Sequence, residues 1–73
     1  MWLIAKRIDK LLAENRLTRT QAAREFGLSV ESVNAIFDGR NEAGEEVTRL
    51  MLAAFGAAEM ETVIDWGRTS YAG

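Results

Sequence analysis

TQAAREFGLSVESVNAI, residues 20–36, is the stretch on which the reading of this chain turns. Ala22, Ala23 and Phe26 fall at helical spacing, a pair of small side chains followed by one large anchor. Further on, Val33, Ile36 and Phe37 recur at i, i+3 and i+4 and form a second apolar face. Between the two faces, Gly27 can adopt the positive φ that ends one helix, Leu28 continues the turn, and Ser29 can cap the next helix. The pattern predicts two short helices that cross closely about Gly27. Ala23 matters by being small, because a larger side chain would push the helices apart at a cost of about 1–3 kcal/mol.

Upstream, residues 3–14 read as a first helix with Ile4, Ile8, Leu11 and Leu12 on one face. Lys6, Arg7 and Lys10 lie around its other sides as a solvated surface. Asn15 and Arg16 make a turn, and Leu17 is expected to be buried where helices meet. Thr18 is a good N-cap, and Gln21 three residues later completes a capping box. That puts Arg19 in the first turn, where the positive end of the helix dipole offers a cation nothing. A phosphate partner accounts for Arg19 better than helix stability does.

Downstream, a third helix is predicted over residues 30–38, closed by Gly39. With Val33, Ile36 and Phe37 inward, the rotation of the helix turns Glu31, Asn34, Ala35 and Asp38 outward and leaves Val30 on the flank. Arg40 and Asn41 follow in a loop. Glu45 and Glu46 suit the start of a fourth helix, with Val47, Leu50, Met51, Ala54 and Phe55 as its core stripe and Gly56 as its stop. A last helix over residues 58–66 carries Met60, Val63, Ile64 and Trp66. The first four helices can close a small core alone, so this last apolar set either caps that core or meets a second copy of the chain. The reading is one domain over residues 1–66 and a flexible tail over 67–73 that contains Arg68 and Tyr71.

Composition narrows the possibilities. Seventy-three residues with no Cys, His or Pro and 48% hydrophobic content point to one small all-helical domain. No disulfide, thiolate metal site or histidine chemistry is available, and no cofactor is expected. Nor is there a nucleophile–base set or a glycine-rich phosphate loop, and an enzyme is not expected. The apolar runs fall far short of the roughly 18 residues that a membrane span needs. WLIAKR is apolar before basic, the reverse of a signal peptide, so the expected compartment is the cytoplasm. The net charge is −2, yet residues 1–26 carry six Lys or Arg against three acids, and residues 27–73 carry three against eight. Screening over about 8 Å at physiological salt lets a local basic patch act despite an acidic far end.

Leu17, Ala22, Ala23, Phe26, Gly27, Leu28, Ser29, Val33, Ile36 and Gly39 together resemble the lambda-repressor-like helix-turn-helix family, which includes phage Cro proteins, phage repressors and many small bacterial regulators. The resemblance covers roughly residues 4–55. It implies an all-α, compact four- to five-helix bundle whose third helix enters the DNA major groove. By the same resemblance, Ser29, Val30, Glu31, Asn34 and Ala35 form the base-reading surface, and Thr18, Arg19, Thr20, Arg40 and Asn41 meet the DNA backbone. The base chemistry is uncommon: Asn34 can pair with adenine, Glu31 can accept from cytosine, and Val30 can touch a thymine methyl. The expected function is a transcriptional regulator that occupies double-stranded operator DNA as a homodimer, with Met60, Val63, Ile64 and Trp66 at the dimer interface. The alternative is an antirepressor or modulator that uses the same fold to bind another regulator protein, which the acidic second half of the chain favours.

Overall fold

The structure, a computed structural model, describes residues 1–69, and over these the chain is all-helical. Five helices follow in order: α1 (Ala5–Glu14), α2 (Arg19–Phe26), α3 (Val30–Phe37), α4 (Glu45–Phe55) and α5 (Ala57–Val63). α1 packs on both α3 and α5, α2 packs on α3, and α4 packs on α5. The core between them holds Ile8, Leu11 and Leu12 of α1, Ala22 and Ala23 of α2, and Val33, Ile36 and Phe37 of α3. Met51, Met60, Val63 and Ile64 complete it from the second half of the chain. Among the described residues, no helix is long and apolar enough to cross a membrane.

The ends of the first three helices share one device. In each, a residue with positive φ follows the helix, and its own backbone N–H and that of the next residue turn back to the last carbonyls of the helix. Arg16 (φ 55°) and Leu17 bond back to Ala13 and Leu12, Gly27 (φ 67°) and Leu28 to Arg24 and Ala23, and Gly39 (φ 75°) and Arg40 to Ile36 and Ala35. The starts of α2 and α3 are capped by side chains, as the residues predict. Thr18 Oγ1 accepts from Gln21 N at 3.1 Å, and Gln21 Oε1 accepts from Thr18 N at 2.9 Å. Ser29 Oγ accepts from Ser32 N at 3.1 Å. Leu17 is half-buried against the core.

Three expectations are corrected. The first helix starts at Ala5, not at residue 3, because Leu3 forms an antiparallel β-bridge with Ile64. Residues 1–4 run extended as a strap: Ala43 N donates to Met1 O, Asp65 N to Trp2 O, and Ile4 N to Val63 O. In α4, Met51 is fully buried with Val47 and Phe55 partly so, one row at i, i+4 and i+8, while Leu50 and Ala54 beside it are exposed. α5 is the main helical neighbour of α4, and one main neighbour covers only a narrow stripe. Finally, α5 ends at Val63, and the segment after it is tied down as far as Thr69. Arg68 lies 3.8 Å over the Trp2 ring and donates to Gly39 O, and Thr69 Oγ1 accepts from Trp2 N. The rest of the expected tail, including Tyr71, falls outside the described residues.

Candidate nucleic-acid interface

α3 is mounted on α2 through the Gly27 turn and buries Val33, Ile36 and Phe37 against α1 and α2. The opposite side carries the residues expected to read bases. Val30 is 40% exposed, Glu31 and Ser32 are exposed, and Asn34 and Ala35 are half-buried. The Ser29 hydroxyl is committed to capping α3 and also donates to Ser32 Oγ at 2.9 Å. Thr18 is likewise a cap, and Thr20 is exposed on the first turn of α2. Arg40 and Asn41 are exposed just past α3, with both backbone N–H groups held by Ala35 O.

Arg19 departs from expectation. Its guanidinium is already engaged inside the chain. Nε and Nη2 donate to Asp9 Oδ1 at 3.2 and 3.0 Å, Nη2 also meets Asp38 Oδ1 at 2.8 Å, and Nη1 donates to Asn34 Oδ1 at 3.1 Å. Its carbon sits 5.8 Å over the Phe37 ring, and only 23% of the side chain is exposed. The misfit between a cation and the start of a helix is therefore resolved by two carboxylates of the protein, one on α1 and one at the end of α3. Asp38 in turn lies 3.6 Å from Arg40. Arg19, Asn34, Asp38 and Arg40 thus form one cluster, joined by Asp9.

Asp9 is the residue that sequence reasoning missed. The available signal was Arg19 itself, since a cation in the first turn of a helix calls for an acid from elsewhere. α1 offers one at Asp9, though nothing local ties it to Arg19. The electrostatics follow from the geometry. Hydrogen bonding to Asp38 raises the Arg19 pKa against the opposing effect of burial, and the Arg19 hydrogen bond holds the Asp38 carboxyl below the usual carboxylate range. α3 itself contributes no basic side chain, so Glu31 and Asp38 set the charge of its outer face.

The expected dimer surface does not survive intact. Met60, Val63 and Ile64 are buried in the chain's own core, because α5 and the residue after it close against α1 and α4. They are not free to meet a second copy. Trp66 is 45% exposed, and its Nε1 donates to Glu61 O at 3.0 Å.

Neither a family model, nor a curated protein, nor a solved structure matches the chain.

Proposed function

We propose that this protein is a small helix-turn-helix regulator of the lambda-repressor-like kind that binds duplex DNA with α3 in the major groove. The observation that carries this reading is the mounting of α3. It is capped at Ser29, braced on α2 across a left-handed Gly27, and exposes Glu31 and Ser32 on its outer face, with Asn34 and Ala35 half-buried and Val30 exposed beside them. A helix held this way projects side chains from a rigid base, which base-edge recognition requires. Thr20, Arg40 and Asn41 flank that face and are the backbone contacts of this reading. Arg40 supplies the cation, its side chain being 65% exposed.

A salt-dependent titration against duplexes from the protein's own genomic neighbourhood tests the proposal. Affinity should fall steeply with salt and differ between sequences. Arg40→Ala should weaken binding to every duplex alike and flatten the salt slope by about one unit. Sequence-independent or absent binding at low salt counts against it.

A second reading is a module that binds another regulator protein. Its specific support is the charge of the outer face, where Glu31 stands in the first turn of α3 and Asp9 and Asp38 neutralise Arg19. Under this reading Val30 is an apolar anchor, so Val30→Asp should abolish the complex while Arg40→Ala leaves it nearly unchanged.

A further inference from the structure

The outward amide of Asn34 is oriented from α2. A guanidinium can only donate, so the Asn34 atom that faces Arg19 Nη1 at 3.1 Å must be the acceptor, Oδ1. Arg19 is itself immobilised by Asp9 and Asp38, which with Asn34 take up four of its five N–H donors. With Oδ1 turned toward α2, the Nδ2 end of the amide is left for a ligand, and no described residue accepts a hydrogen bond from it.

Resting on the DNA-binding reading above, we propose that Arg19 is a positioning residue that fixes Asn34 as an outward hydrogen-bond donor, and that Asn34 thereby selects guanine. The usual pairing of an asparagine with adenine uses both ends of the amide: Oδ1 accepts from N6 and Nδ2 donates to N7. Here Arg19 Nη1 already occupies one of the two Oδ1 lone pairs and holds the oxygen toward α2, so the two-ended adenine pairing is disfavoured. Guanine presents N7 and O6 side by side, two acceptors that match an NH₂ group with two hydrogens. Adenine sets a donor beside its N7, and thymine offers O4 alone. Glu31, one turn earlier on the same helix, can only accept and suits cytosine N4. An acceptor and a fixed donor on one helix face describe a reader of G·C pairs. Arg19 has no part in phosphate binding.

Anisotropy titrations test this with the unaltered protein, Arg19→Ala, Arg19→Lys and Asn34→Ala. Each is measured on a bound duplex and on its single base-pair substitutions, at several salt concentrations. The unaltered protein should prefer guanine to adenine at one position by roughly tenfold. Asn34→Ala should erase that preference, and Arg19→Ala should shift it toward adenine. Arg19→Lys keeps the charge without the planar fork, and it should fail to restore guanine. None of these changes should alter the salt slope. A phosphate-contacting Arg19 gives the opposite pattern: uniform weakening in Arg19→Ala, a slope flatter by about one unit, and rescue by lysine. That result overturns the proposal, as does a bound duplex with no position governed by Asn34. If the unaltered protein binds no duplex, the DNA reading itself fails, and this is seen before any variant is made. Should Arg19→Ala unfold, Arg19→Lys and Asn34→Ala carry the test alone.

Discussion

At the scale of single residues, Asp38 is where the charges around α3 converge. The hydrogen bond from Arg19 holds its carboxyl below the usual range, with Coulombic attraction from Arg19 and Arg40 adding to it and burial opposing it. The folded chain therefore takes up this proton only at lower pH than the unfolded chain does. Its stabilising contribution is intact above the ordinary carboxylate pKa of about 4 and is lost as the pH falls through the depressed folded value. Asp38→Asn should accordingly lower the melting temperature near neutral pH, and the gap to the unaltered protein should close in acid. Melts across the acid range check this, and a gap that stays constant with pH would mean that the Arg19–Asp38 pair contributes nothing. Arg19 also shows how far local reading reaches. Its conflict with the helix dipole was visible in the sequence. Whether a phosphate, Asp9 or Asp38 resolved it depended on contacts that no local pattern encodes.

At the scale of elements, the helix ends make a comparison possible. Gly27 and Gly39 both hold positive φ, but a Cβ at Gly27 would meet nothing within 4 Å, while one at Gly39 would lie 3.0 Å from Leu3 O. Gly27→Ala should cost only the left-handed backbone, about 1–2 kcal/mol. Gly39→Ala must also move the strap, so denaturant unfolding should show the larger loss at residue 39; equal losses would mean the strap yields freely. The α2–turn–α3 unit was legible because its signals are local: Thr18 with Gln21, Gly27, Ser29, and two apolar faces of clear period. The failures share the opposite cause. Leu3 fits a helical pattern but is claimed by Ile64 at the far end of the chain. Leu50 and Ala54 fit the stripe of α4 but lie beyond what α5 covers. Met60, Val63 and Ile64 looked surplus because an apolar count does not reveal how much core four short helices leave open.

At the scale of the whole molecule, four large apolar side chains are exposed among the described residues. Leu50 (37% exposed) and Leu52 (41% exposed) on α4 join Trp66 beyond α5 as the large exposed apolar side chains, with Val30 alone on the α3 face. The homodimer expected from the family resemblance would therefore have to form through exposed residues such as Leu52 and Trp66, since Met60, Val63 and Ile64 are buried. Sedimentation over a range of concentrations should show association that Leu52→Lys reverses; a strict monomer at high concentration removes the dimer from the reading. The strap formed by residues 1–4 has a kinetic consequence. Helix pairs such as α2 and α3 assemble from neighbours in sequence, an early and inexpensive step. Among the backbone–backbone bonds of the described residues, those between Met1 and Ala43, Trp2 and Asp65, and Ile4 and Val63 close the longest loops, and the entropy of closing them weighs on the search before any contact repays it. Contacts of this kind are expected to form late, so weakening the strap should speed unfolding and leave refolding nearly unchanged, which stopped-flow kinetics would read directly.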